Sequence, residues 1–310
     1  MTTQYNIDSP LKIGTRGSPL ALAQAYETRS RLMEAHGMPE AAFTIEVIQT
    51  TGDAVQDRPL SEIGGKGLFT KEIEQALLDG RIDIAVHSMK DVATELPDSL
   101  VIDCTLPRED VRDAFISRKY GSIADLPQGS VVGTSSLRRR AQLLTMRPDL
   151  KLVEFRGNVQ TRLRKLDDGV AEATFLACAG LQRLGNFGIA NPVETGVMLP
   201  ACAQGAIGIE RRRDDEASAT LLAAIHHPET FIRISAERAF LGELDGSCRT
   251  PIGGLAELKG GNLRFRGEII RPDGSELHKG SWDGPPADAA LIGAEAGKEL
   301  RAKGGEGFFG

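Results

Sequence analysis

The stretch Leu11-Lys12-Ile13-Gly14-Thr15-Arg16-Gly17-Ser18-Pro19-Leu20-Ala21 decides the reading of the fold. Residues 11–15 have the short apolar character of a strand. Ser18-Pro19 then supplies an N-cap and a first-turn proline, which predicts a helix over residues 20–35. Strand, tight turn and helix in that order form the repeating unit of an α/β sheet. The pattern continues downstream, with 43–50 a strand, 68–78 a helix stopped at Gly80, and 82–86 a nearly uninterrupted apolar strand. Strands of that kind are buried on both faces.

After Pro107 the pattern restarts, with strands predicted at 114–117, 131–133, 151–155 and 173–177 and helices at 137–146 and 159–166. A short strand at 206–210 is too isolated to found a domain, so it is expected to return to the first sheet. Helices at 218–225 and 229–244, strands at 255–258, 263–270 and 276–282 with Asp273-Gly274 as a turn, and a helix at 287–303 complete the chain. The expected fold class is α/β: two α/β lobes joined by a hinge plus a smaller C-terminal α+β domain. Residues 1–107 with 200–225 form a discontinuous first domain, 108–199 a second and 226–310 a third.

Composition narrows the function. The chain has 310 residues, 37 Lys plus Arg against 43 Asp plus Glu, a formal net charge of -6 and 5% aromatic residues, so dedicated nucleic-acid binding is not expected. The first ten residues carry neither a basic stretch nor an apolar core. No apolar run reaches the roughly 18 residues of a membrane span, so a cytoplasmic protein without a membrane partner is expected. Cys104, Cys178, Cys202 and Cys248 are scattered with no C-x-x-C pair, and His226-His227 are adjacent rather than at ligand spacing, so neither a metal site nor a disulfide framework is signalled.

Common chemical motifs fail one by one. Gly64-Gly65-Lys66-Gly67 lacks the upstream glycine and the Ser or Thr of a P-loop, and Thr70 stands where a dinucleotide fingerprint needs glycine. Gly133-Thr134-Ser135-Ser136-Leu137 lacks the closing glycine of a nucleophile elbow. What remains is a coincidence of arginines with backbone turns. Arg16 lies in the turn before Ser18, Arg138 and Arg139 open the helix after Gly133-Thr134-Ser135-Ser136, and Arg156 follows a strand with Arg162 about one helical turn further on. Guanidinium groups beside free helix N-terminal amides suit carboxylates, and strand C-terminal ends share one crevice in an open sheet, so a ligand with several carboxylates is expected. The competing reading for each arginine is a solvated charge or rim ion pair. Asp91 emerges after the apolar strand through His87-Ser88-Met89 and reads equally as a helix cap. His87 alone reads as a packed or hydrogen-bonded structural residue as readily as a functional one. Cys248, in a turn-rich loop beside Arg249, is either an inert loop thiol or a nucleophile; Cys104 and Cys178 are placed in apolar strands.

Together these segments resemble the hydroxymethylbilane synthases, also called porphobilinogen deaminases. The matching stretches are Ile13-Gly14-Thr15-Arg16-Gly17-Ser18-Pro19-Leu20-Ala21, Gly64-Gly65-Lys66-Gly67-Leu68-Phe69, Asp83-Ile84-Ala85-Val86-His87-Ser88-Met89-Lys90-Asp91, Val132-Gly133-Thr134-Ser135-Ser136-Leu137-Arg138-Arg139, Arg156-Gly157-Asn158 and Ala236-Glu237-Arg238-Ala239. They cover nearly the whole chain in order.

The resemblance implies a monomeric transferase of tetrapyrrole and haem biosynthesis. It joins four porphobilinogens head to tail on a covalent dipyrromethane, releases ammonia at each joining, and frees the linear hydroxymethylbilane by hydrolysis. It also implies a periplasmic-binding-protein-like pair of lobes, a thioether from Cys248 to the dipyrromethane cofactor, and Asp91 as the catalytic carboxylate. Cofactor contacts would come from Lys66, Lys90, Asp91, Thr134, Ser135, Ser136, Arg138, Arg139 and Arg162. Substrate contacts would come from Arg16, Ser18, Phe69, Arg156, Arg183 and Gln204. Three positions depart from the pattern: Glu62 where relatives often carry lysine, Ser247 for a glycine before the cofactor cysteine, and Ala203 for a glycine before Gln204. The last two exchange a residue for which φ > 0 is easy. A mobile lid is expected over residues 53–66. The rival reading is a non-catalytic two-lobed binding protein for a polycarboxylate, which has no use for a loop thiol.

Overall fold

The computed structural model describes residues 5–54, 70–244 and 250–309. They group into two compact units, the first comprising residues 5–54, 70–108 and 206–231, the second 109–205, 232–244 and 250–309.

In the first unit β1 (Leu11–Arg16) leads into α1 (Pro19–His36), whose N-cap Ser18 accepts a hydrogen bond from the Ala21 N–H. Then come β2 (Phe43–Ile48), α2 (Thr51–Ala54), α3 (Lys71–Leu78), β3 (Ile84–Ser88) and β4 (Leu100–Thr105). The strand expected at 206–210 returns to this sheet, which has the order β2-β1-β3-β10-β4, where β10 is Ile207–Arg212. β1 runs parallel to β2 and β3, and β10 is antiparallel to β3 and β4. Alternating side chains build two apolar layers. Ile13, Ile84, Val86, Ile207 and Ile209 pack with Leu32 of α1 and with Leu221 and Leu222 of α7 (Glu216–Ala223). On the other face Ala85 and Leu100 pack with Ile73, Ala76 and Leu77 of α3.

The second unit's sheet uses β5 (Asp113–Ser117), β6 (Val131–Gly133), β7 (Lys151–Val153), β8 (Ala173–Ala177) and β9 (Asn191–Val193) in the order β7-β6-β8-β5-β9. β6 is parallel to β7 and β8, while β5 is antiparallel to β8 and β9. The helices are α4 (Leu137–Met146), α5 (Val159–Asp167) and α6 (Cys178–Arg183). Cys178 therefore begins a helix and is not in a strand, because the apolar run continues unbroken from β8 into α6. In the same unit β11 (Ile252–Lys259), β12 (Asn262–Ile270) and β13 (Leu277–Gly284) form an antiparallel meander. Asp273 and Gly274 make its second turn, with the Asp273 carboxylate accepting from the Ser275 N–H and Gly274 at φ 76°. α8 (Pro228–Glu243) and α9 (Ala289–Gly304) cover the meander through Phe240, Phe265, Ile292 and Leu300. A Cβ on Gly293 would collide with the Ala236 carbonyl, so glycine permits that close approach of α9 to α8. Among the described residues no helix is long and apolar enough to cross a membrane, and no cluster of three or more His, Cys, Asp or Glu could hold a metal ion.

Candidate functional site

In the first unit, the end of β1 and the turn after β3 converge. β3 stops at Ser88 and a single 3-10 turn, Met89–Asp91, swings Asp91 to the sheet's end, so Asp91 sits in this turn and does not cap a helix. Arg16, the last residue of β1, places Nη1 3.9 Å from the Asp91 carboxylate, with both side chains partly open. These two line a small pocket with Ser18, Thr70, His87 and Ser88. Lys90 lies beside them, half-buried in the same turn. A larger cavity of about 340 Å³, lined by residues 127–131 and 169–172, includes none of the expected site residues.

In the second unit the expected anion site is more deeply buried than its sequence implies. Ser136 caps α4 by accepting from the Arg139 N–H, the Thr134 hydroxyl accepts from the Ser136 N–H, and the Ser135 hydroxyl accepts from the Phe155 N–H. Arg138 and Arg139 are only 4% and 6% exposed, which matters because they are not held out at a helix end. Arg138 Nη1 donates to the Asp113 carboxylate at 2.8 Å, to Gln142 Oε1 and to the Leu199 carbonyl. Arg139 grips Asp113 through Nε and Nη2 at 3.1 and 2.7 Å and gives Nη1 to the Phe175 carbonyl. Gln204 Nε2 donates to the same Asp113 carboxylate at 3.0 Å and to the Val111 carbonyl. Burial alone would raise the Asp113 carboxyl pKa, but the adjacent Arg138 and Arg139 charges outweigh it and hold the group well below the usual carboxylate range.

Arg156 and Arg162 stand at the start of α5. Asn158 caps the helix through Thr161 N–H, and Arg162 Nε donates to the Gly157 carbonyl. Exclusion of solvent, then the charges of Arg139 and Arg156, lower the Arg162 guanidinium pKa to about 10. Arg139 is already paired with Asp113, which leaves Arg156 and Arg162, both partly open, as the two cations at this helix start that could meet an anion. Arg183 ends α6 and donates from Nη2 to the Gly205 carbonyl at 3.3 Å. The turn carrying Gln204 is conformationally demanding. Ala203 takes φ 61° and Gly205 φ 87°, and the Ala203 N–H is held by the buried Glu237 carboxylate at 2.5 Å, whose other oxygen accepts from the Ala256 N–H at 2.8 Å. Ala203 thus adopts the left-handed backbone for which a glycine is the easier choice. Lys66, Phe69, Cys248, Glu62 and Ser247 lie outside the described residues, as do residues 55–66 of the expected lid.

Asp113 and Glu210 did not stand out in the sequence, and Glu237 stood only within the stretch Ala236-Glu237-Arg238-Ala239 with no role attached; strand pairing and helix packing show what each holds.

A family model described as porphobilinogen deaminase, dipyromethane cofactor binding domain, matches residues 11–220, and one for the porphobilinogen deaminase C-terminal domain matches residues 231–302. The chain belongs to the porphobilinogen deaminase family. It is 64% identical over 310 residues to the porphobilinogen deaminase of Paracoccus denitrificans, covering 100% of this chain and 99% of that one. It is 58% identical to that of Nitrobacter winogradskyi, covering 100% and 98%. Among solved structures it is similar to a putative methionine-binding lipoprotein from Bacillus subtilis, at 14% identity, 73% of this chain, 94% of that chain and a TM-score of 0.42. It is likewise similar to a periplasmic substrate-binding protein from Coxiella burnetii, at 16% identity, 71%, 94% and 0.43. The porphobilinogen deaminase family model names a dipyrromethane cofactor. Arg156 and Arg162, partly open at the start of α5, fit such a group, whose acetate and propionate arms are anions.

Proposed function

We propose that this chain performs its family's transferase reaction with Asp91 as the catalytic carboxylate and Cys248 as the cofactor anchor. The reaction condenses four porphobilinogens with release of ammonia and frees the linear tetrapyrrole hydroxymethylbilane by hydrolysis. Bound through a Cys248 thioether, the dipyrromethane supplies the pyrrole on which the product chain is built. Arg139, Arg156 and Arg162, with Lys66 and Lys90, neutralise acetate and propionate arms, while Thr134, Ser135 and Ser136 add hydrogen bonds. Arg138 acts from a buried position, where its bonds to Asp113, Gln142 and Leu199 fix the start of α4. Arg16, Ser18, Phe69, Arg183 and Gln204 are assigned to the substrate.

Asp91 and Arg16 divide the work by charge. As the C–N bond of porphobilinogen breaks, positive charge spreads over the pyrrole, and the Asp91 carboxylate offers an acceptor for the pyrrole N–H and a counter-charge for the cation. Arg16 orients that carboxylate and binds a substrate carboxylate. The observation that carries this reading is the convergence of Arg16 and Asp91 at 3.9 Å in one pocket. A cytoplasmic monomer without nucleic-acid or membrane partners, divided into domains 1–107 with 200–225, 108–199 and 226–310, completes the proposal on the sequence pattern and the net charge of -6.

Asp91→Asn keeps the shape and removes the charge. Tetrapyrrole formation should fall by about a hundredfold or more, the scale on which loss of one preorganised electrostatic group acts. Near-normal turnover by a folded, cofactor-bearing variant would remove Asp91 from the mechanism.

A further inference from the structure

His87, in the wall of the Asp91 pocket, is paired with a buried glutamate behind it that the proposed reaction does not use. His87 Nε2 lies 2.8 Å from Glu210 Oε2, and the two side chains are 4% and 1% exposed. The antiparallel β3–β10 register, with Gly208 opposite His87 and Glu210 opposite Ala85, sets all four on one face of the sheet. That face is otherwise packed by Ile73, Ala76, Leu77, Ala85 and Leu100. Packing there asks for another aliphatic side chain, and a buried carboxylate is costly unless something is gained. Glu210 Oε1 has no hydrogen-bond partner among the described residues.

Three other charged groups lie near the imidazole: Glu74 of α3, whose carboxyl it influences, and Arg16 of β1 and Asp91 of the turn after β3, which line the same pocket. Burial raises the Glu74 carboxyl pKa, a hydrogen bond from Thr70 lowers it, Glu210 raises it and His87 lowers it, so Glu74 and Glu210 both act on the same ring. A carboxylate accepting at Nε2 fixes the tautomer with the proton on that nitrogen and leaves the lone pair on Nδ1. His87 itself lines the pocket shared by Asp91, Arg16 and Ser18. A base oriented by a buried carboxylate beside the reacting group is the arrangement that proton abstraction requires.

We propose that His87, with its tautomer set by Glu210, is the base that takes up the proton released at each joining. The aminomethyl nitrogen enters protonated as an ammonium group, and when its C–N bond breaks the electron pair leaves with nitrogen as ammonia. The accepting pyrrole's α-carbon forms the new C–C bond and then loses its hydrogen as a proton, the C–H electron pair restoring the aromatic ring. Nδ1 of His87 accepts that proton, and the departing ammonia carries it away as ammonium, so the base is restored. Glu210 is a positioning residue, because it acts through His87. This inference rests on the deaminase reading of the site.

The test uses the cofactor-bearing enzyme with porphobilinogen as substrate. Glu210→Gln keeps the side-chain shape but removes the charge, and its amide can meet Nε2 through either its N–H or its oxygen, so the tautomer that leaves Nδ1 open to an incoming proton is no longer enforced. Its kcat should fall by about ten- to a hundredfold, the scale of losing an orienting partner and less than the roughly 10²–10⁴-fold that general base catalysis supplies, with KM unchanged and the acid limb of the kcat–pH profile displaced. His87→Asn should lower kcat as far and abolish that limb, and it gives the same test if Glu210→Gln does not fold. A variant profile superimposable on the parent's would overturn the proposal. So would a fall in kcat that merely matches a fall in the fraction of protein carrying cofactor, since a structural role predicts that. Asp91→Asn run alongside separates the two claims. If it is inactive while the His87 and Glu210 variants match the parent, only this inference fails; normal turnover in Asp91→Asn would remove the underlying reading instead.

Discussion

Replacing Asp113 with asparagine tests the electrostatic centre of the second unit. The carboxylate is fully buried and accepts from Arg138 Nη1, Arg139 Nε, Arg139 Nη2 and Gln204 Nε2. The asparagine side chain would keep one acceptor oxygen but turn an amide N–H toward a guanidinium, leaving two buried cations without their counter-charge. Removing one partner of such a pair costs about 3–5 kcal/mol. With an m-value of about 3 kcal/mol/M in urea, the unfolding midpoint should drop by about 1–1.7 M. Trp282, the chain's one tryptophan, lies on β13 of the same unit and reports the transition by fluorescence. A depressed carboxyl pKa contributes stability that is complete above the unfolded value, about 3.9, and is lost as pH falls through the lower folded value. The gap between parent and Asp113→Asn should therefore be constant near neutrality and narrow only in acid. A destabilisation below about 1 kcal/mol, the scale of an exposed pair, would refute the reasoning, as would a gap that does not narrow in acid.

Two further outcomes follow from the same charges and burial. Burial raises the thiol pKa of both Cys104 and Cys178 to about 12, so neither should be alkylated in the folded protein at mildly alkaline pH, whereas both should react in urea; mass spectrometry of the peptides reads this directly. Arg162→Gln removes one of the two partly open cations at the start of α5. The same change should reduce the fraction of protein that acquires cofactor, and a variant that loads fully would take Arg162 out of the anion site.

The parts of the fold legible in the sequence were those carried by local pattern. Ser18-Pro19 marked the start of α1, apolar runs marked β3 and β8, and Asp273-Gly274 marked the meander turn. β9 was missed because its three residues include Pro192, which is tolerated at that sheet's edge but argues against a strand when read alone. The end of β8 at Ala177 was also hidden, since nothing in an apolar run shows where extended backbone turns helical.

The site was partly legible for a related reason. Turn positions exposed Arg16, Asp91, Arg156 and Arg162 as candidates. That Arg138 and Arg139 would close on Asp113, 25 and 26 residues upstream, depended on β5 and β6 flanking β8 in one sheet. His87 was ambiguous until its partner was known, and that partner lies 123 residues away on the strand that returns to the first sheet. The concern over Ala203 was a matter of backbone chemistry alone, and its φ of 61° has the sign that concern anticipated.

The central claim is that Cys248 carries the group on which the tetrapyrrole is built. The intact mass of the purified, denatured protein, followed by peptide mapping of the segment containing Cys248, tests it most directly. The account predicts an added mass of two porphobilinogen units less two ammonias, located on Cys248 and absent from Cys248→Ser. An unmodified mass that stays unchanged after incubation with porphobilinogen would contradict it.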